Sequence, residues 1–125
     1  MIHECIVGIG SNIEPEENIA AALNYLRQEQ ELIAVSALTR TSPIGITNQP
    51  DFLNGACKIM TAMDMTEFQN YLKKLEDRLK RDRTTAKFGP RTIDLDLVSW
   101  DGKITDQDYY NRDFLKTAVD QINYL

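Results

Sequence analysis

Only one histidine and two cysteines occur in this chain of 125 residues, and none of the three stands in a motif. His3 lies apart from every constellation described below and receives neither a ligand nor a catalytic role. Cys5 and Cys57 each sit in an apolar, strand-like run, so they read as buried free thiols in a reducing compartment and not as a bridge. Long hydrophobic runs are missing too. No stretch approaches the roughly 20 apolar residues of a membrane span, and Met1-Ile2-His3-Glu4 has no basic flank. The expectation is a soluble, cytoplasmic protein with no membrane partner. An excess of positive charge is also lacking: the formal charge of −5 argues against a nucleic-acid partner. With no repeat, low-complexity tract or linker, residues 1–125 read as a single domain, large enough for a core without disulfide or metal staples.

What is present is concentrated. From Lys73 to Arg91 eight basic residues stand against Glu76, Asp77 and Asp82, a local net of +5, so the rest of the chain sums to −10. A basic island in an acidic protein points to a small anionic ligand. Directly after it comes Arg91-Thr92-Ile93-Asp94-Leu95-Asp96-Leu97-Val98, which reads as a strand entering a core. Alternation puts Thr92, Asp94, Asp96 and Val98 on one face and buries Ile93, Leu95 and Leu97 on the other. Two carboxylates about 7 Å apart on one strand face repel unless a cation lies between them. Hard oxygen ligands suit magnesium, and the neighbouring Lys and Arg suit phosphate.

The order of elements follows from periodicity and turn chemistry. Ile2 to Ile9 reads as a strand ended by Gly10-Ser11-Asn12, and Pro15 opens an amphipathic helix to about Gln28. A second strand is expected from about Leu32 to Arg40, then an irregular loop from Thr41 to Pro50. Phe52 to about Thr61 reads as the third strand. Asp64 and Glu67 offer a capping box to a helix whose buried stripe is Phe68, Leu72, Leu75 and Leu79. A polar loop ending in Gly89-Pro90 precedes the Asp-Leu-Asp strand, Asp101-Gly102 suggests a hairpin, and Asp113 to Leu125 a short helix. This order implies an α+β, ferredoxin-like sandwich: a mostly antiparallel sheet with helices packed on one face.

Several residues resist a purely structural reading. Arg81, Arg83 and Arg91 flank a loop, and the planar guanidinium suits bidentate phosphate contacts. Asn54 shares a strand face with Phe52, and a buried amide needs partners that a flat heterocycle stacked on Phe52 could supply.

Taken in order, Gly10-Ser11-Asn12, Arg40-Thr41-Ser42-Pro43-Ile44-Gly45, Gln49-Pro50-Asp51-Phe52-Leu53-Asn54 and Gly89-Pro90-Arg91-Thr92-Ile93-Asp94-Leu95-Asp96 resemble the motifs of 6-hydroxymethyl-7,8-dihydropterin pyrophosphokinase of folate biosynthesis. The resemblance runs from about Ile6 to Val98. It implies transfer of the β,γ-pyrophosphoryl unit of ATP to the pterin hydroxymethyl oxygen, with release of AMP. It further implies that Asp94 and Asp96 hold two magnesium ions and that Arg81 and Arg83 grip phosphates. Glu76, Lys87, Phe88, Arg91 and Arg112 would serve the nucleotide. Thr41, Ser42 and Ile44 would line the pterin slot, with Asn54 on the pterin edge and Phe52 and Phe114 on its two faces. ATP is the co-substrate, and other folate-pathway enzymes are candidate partners.

The chain departs from the family pattern at two places. Ile104 to Tyr110 replaces a segment that carries a Pro-His element in the family, leaving no histidine there. Lys87-Phe88 stands where the family commonly has Arg-Trp. A catalytically impaired pterin- or nucleotide-binding homologue is therefore the alternative reading.

Overall fold

The computed structural model describes residues 1–81 and 89–123. In chain order its elements are β1 (His3–Ser11), α1 (Pro15–Glu29), β2 (Glu31–Val35), β3 (Thr39–Thr41), β4 (Phe52–Thr61), α2 (Met65–Arg78), β5 (Asp94–Trp100), β6 (Lys103–Ile104), α3 (Asp108–Asn111) and α4 (Asp113–Ile122). Local chemistry sets several boundaries. Pro15 occupies the first turn of α1, where its missing N–H costs nothing. Asp64 accepts from the Glu67 amide at 2.8 Å while the Asp64 amide donates back to the Glu67 carboxylate at 3.3 Å, the expected capping box. Asp101 and Gly102 both adopt positive φ, as a tight hairpin between β5 and β6 requires.

The strands form one sheet in the order β2-β4-β1-β5-β6, with β3 also on β4, and every pairing is antiparallel. This is the ferredoxin-like arrangement. Cys5, Val7, Ile9, Cys57, Ile59, Leu95 and Leu97 point to one face, where Ile19, Ala22 and Leu26 of α1 and Phe68, Leu72 and Leu75 of α2 cover them. The two free thiols are buried as expected, and burial, with Asp101 and Glu4 nearby, pushes Cys5 up to about 12. His3 packs on the Trp100 ring at 4.8 Å and meets Asp101 at 2.7 Å, well away from the site described below. No helix among the described residues is long and apolar enough to cross a membrane.

Three details differ from expectation. The strand expected over Leu32–Arg40 is two strands. After Val35, Ser36 bonds Ala56 through both its amide (2.8 Å) and its hydroxyl (2.9 Å), and the Ala37 amide turns away to Gln121 at 3.0 Å. Pairing resumes at Thr39. The chain crosses close over Gly55, where a Cβ would lie 2.6 Å from Leu38 Cδ2. Secondly, β5 begins at Asp94 and not at Arg91, because the Arg91 amide and carbonyl are already bonded to Asn12, at 2.8 and 3.1 Å. Thirdly, α1 and α2 share one face as expected, but α4 lies on the other. Its Leu115, Ala118, Val119 and Ile122 cover Ile6, Ala56 and Val98. The sheet is thus the middle of three layers, and the second face is only part covered.

Candidate active site

The uncovered part of that second face is the site. Gly10 of β1 pairs with Asn54 of β4 on one side and Asp94 of β5 on the other, and Gly8 pairs with Asp96. Paired residues share a sheet face, so two side-chain-free positions separate an amide from two carboxylates. Neither glycine has room to spare. A Cβ on Gly10 would lie 2.6 Å from Asn54 Oδ1, and one on Gly8 would lie 3.2 Å from Leu115 Cδ1. The result is a cavity of about 310 Å³ with a flat backbone floor. Thr41, Ser42, Ile44, Phe52 and Asn54, the five residues expected on the β3–β4 side, all line it. The Asn54 amide donates to the Thr41 hydroxyl at 2.5 Å, which fixes the orientation of its carbonyl oxygen.

Phe114 and Arg112 close the same cavity from the other end. They do so by a route unlike an extended strand: Arg112 is the extended residue before α4, while Phe114 is in the first turn of the helix, half-buried against the cluster that α4 forms with Ile6, Ala56 and Val98. Arg112 lines this first cavity and is absent from the lining of the second.

A second, more polar cavity of about 780 Å³ opens on the far side of the aspartates, along Thr66, Gln69, Lys73 and Glu76 of α2 and Arg81. Arg91, Asp94, Asp96 and Asp106 line both cavities. β6 pairs only with Ser99 and Trp100, so the Asp94–Asp96 end of β5 remains open between the two.

The charges here form an ordered chain. Arg81 donates to the Glu76 carboxylate and, at 3.1 Å, to Asp94 Oδ1, while Arg91 donates to Asp94 Oδ2 at 3.1 Å. Glu76 is buried, 3 % exposed, and also accepts from the Leu95 amide at 2.8 Å. It therefore ties α2 to the start of β5 and orients Arg81. Asp94 is compensated by two guanidiniums, whereas Asp96 has no basic partner among the described residues. Burial in the cavity wall, then repulsion from Asp94, Glu76 and Asp106, pushes the Asp96 carboxyl up to about 8. Solvent still reaches Asp96, as it reaches a group in the wall of an open pocket. For Asp96 to carry its charge at neutral pH against three other carboxylates a cation is needed, and two hard oxygen donors on one strand fit magnesium. Among the described residues no three His, Cys, Asp or Glu side chains lie together so as to hold one ion, and magnesium ordinarily completes its octahedron with water and substrate oxygens. Arg83, Lys87 and Phe88, expected at the nucleotide, lie outside the described residues.

Two features escaped the sequence reading. Asn12, taken there as turn chemistry, is buried and fully used: its amide donates to Gln49 Oε1 at 2.9 Å and to the Pro50 carbonyl at 3.0 Å, and its oxygen accepts from Arg91. It pins the Thr41–Pro50 loop to the segment leading into Asp94. The available signal was a buried-type position occupied by an amide. Asp106 and Asp108 also line the first cavity, from the stretch Ile104 to Tyr110 that the sequence marks only by its lack of a Pro-His element.

A ferredoxin-like sheet carrying a glycine-floored slot, with a carboxylate pair between that slot and a polar cavity lined by Lys73, Arg81 and Arg91 as well as by acids, has the form of a small-molecule site. The chain belongs to the 7,8-dihydro-6-hydroxymethylpterin-pyrophosphokinase family, whose model matches residues 6–124. It is 36% identical over 109 residues to a 2-amino-4-hydroxy-6-hydroxymethyldihydropteridine pyrophosphokinase of Pseudomonas aeruginosa, covering 85% of this chain and 67% of that one. It is 29% identical over 127 residues to the protein of that name in Haemophilus influenzae, covering 93% and 79%. Against a folate synthesis bifunctional protein of Arabidopsis thaliana it is 33% identical over 97 residues, covering 76% of this chain and 20% of the relative.

Proposed function

We propose that the chain transfers the β,γ-pyrophosphoryl unit of ATP to the hydroxymethyl oxygen of 6-hydroxymethyl-7,8-dihydropterin in folate synthesis. One bond forms from that oxygen to the β-phosphorus, the bond from the β-phosphorus to the α-bridging oxygen breaks with its electron pair leaving on AMP, and the alcohol proton passes to solvent. The observation that carries this reading is the position of Asp94 and Asp96 at the junction of a ring-sized slot and a polar cavity into which Lys73, Arg81 and Arg91 bring positive charge beside them.

The side chains then have distinct tasks. Phe52 and Phe114 hold the pterin faces, Asn54 reads its edge, and Thr41, Ser42 and Ile44 complete the slot. Arg81 and Arg91 stand at Asp94, where they receive phosphate oxygens, with Arg83, Lys87 and Phe88 assigned to the nucleotide by the family resemblance. Arg112 serves the phosphates from the slot side, and Glu76 acts through Arg81. Asp94 and Asp96 would hold two magnesium ions, which supply neutralisation of phosphate charge and acidification of the alcohol. Phosphoryl-type transfer depends mostly on positioning and charge, so the missing imidazole is no obstacle. The free thiols suit a cytoplasmic location. The name of the bifunctional relative supports association with other enzymes of folate synthesis.

The test is direct: incubate the chain with ATP, magnesium and the hydroxymethyl dihydropterin, and follow AMP and the pyrophosphorylated pterin. AMP formation that requires the pterin and is lost in Asp96→Asn is expected. Pterin and ATP binding without AMP would instead establish the impaired homologue.

A further inference from the structure

We propose that Asp106 is an outer-sphere carboxylate for the divalent cation, taking hydrogen bonds from cation-bound water without ligating the metal. This rests on the Asp94–Asp96 reading above and adds a residue that the motifs do not contain. Asp94, Asp96 and Asp106 are the three acids that line both cavities. Asp94 is paired with Arg81 and Arg91, but neither Asp96 nor Asp106 has a basic partner among the described residues. The negative charge left for a cation is therefore shared between Asp96 and Asp106.

Asp106 is also held in place. Thr105 bonds the edge of β5 twice, amide to the Val98 carbonyl at 2.8 Å and hydroxyl to the Leu97 carbonyl at 2.9 Å. Asp106 Oδ1 accepts from the Asp108 amide at 2.9 Å, and among the described residues the other carboxylate oxygen has no hydrogen bond. Asp94, Asp96 and Asp106 do not come together closely enough to ligate one ion. Magnesium keeps several of its waters, and a fixed carboxylate beyond them orients those waters and adds to the binding field. The segment that lacks a Pro-His element thus contributes charge of the opposite kind.

The experiment titrates Mn2+ into the full chain, alone and with a non-hydrolysable ATP analogue. Free Mn2+ is followed by electron paramagnetic resonance, and metal-bound water by proton relaxation. Asp106→Asn should bind Mn2+ about 10-fold more weakly, with the number of bound waters unchanged. Asp113→Asn, which removes an equal charge from a residue lining neither cavity, should bind as the unaltered chain does. Unaltered Mn2+ affinity in Asp106→Asn overturns the proposal, as does a gain of one bound water, the mark of a lost direct ligand. If instead Asp96→Asn leaves Mn2+ affinity unchanged, the Asp94–Asp96 reading itself fails.

Discussion

At the scale of single residues, what distinguishes Asp94 from Asp96 is company. Asp94 sits between two arginines, and Asp96 between acids. Either Asp→Asn change should lower turnover by about 100-fold or more, because each removes a carboxylate from the metal that would neutralise charge developing during transfer, and circular dichroism should show an intact fold. AMP formation near the unaltered rate in either variant would sink the assignment. The raised Asp96 carboxyl has a second consequence, visible in metal-free protein. Between its ordinary value near 4 and its folded value near 8, the native state binds more protons than the unfolded state, so the contribution of Asp96 to stability falls as pH rises through that window. Asp96→Asn should remove this decline and be the more stable form at pH 8 in chelator, as thermal melts at pH 5 and pH 8 would report. Gly10 is the third telling position. In Gly10→Ala the new methyl meets Asn54 Oδ1, so the amide must leave both Thr41 and the slot. Calorimetry should find pterin binding weakened by about 1 to 3 kcal/mol and ATP binding almost unaltered; equal losses for the two ligands would mean that the glycine serves the fold and not the slot.

At the scale of elements, the alternating strand face and the capping box were legible because both are local. Alternation on β5 placed the aspartates correctly, and Asp64 with Glu67 fixed the start of α2. The start of β5 was not legible, since Arg91 is taken from the ladder by Asn12, 79 residues earlier in the chain. Nor was the break between β2 and β3, which depends on Ser36 reaching Ala56. The side of the sheet taken by α4 left a faint signal: Ile6 and Val98 are apolar on the same face as the aspartates, and a wholly solvated face would not carry them. Thr41, Ser42 and Ile44 were expected at the slot only through motif resemblance, because nothing in their periodicity marks a ligand, whereas Asn54 and Phe52 were legible as an amide sharing a strand face with an aromatic ring. Phe114, reached through a helix and not an extended segment, tests α4 as a wall. Phe114→Ala should weaken pterin binding by about 1 to 3 kcal/mol, with ATP binding nearly unchanged. If calorimetry gives the same pterin affinity, the ring belongs to the cluster under α4 and not to the ligand.

At the scale of the whole molecule, the last described helix belongs to two structures at once. Leu115, Ala118, Val119 and Ile122 of α4 are four of the seven buried residues of a hydrophobic cluster, and Phe114 and Leu115 are also part of the slot lining. A substrate that grips the slot therefore grips the cover of the core, and mass action must express binding as resistance to unfolding of that cover. The reverse holds equally. Anything that peels α4 from Ile6, Ala56 and Val98 takes away a wall of the slot. During synthesis the β3, β4 and β5 sides of the slot wait for a helix that leaves the ribosome after all of them.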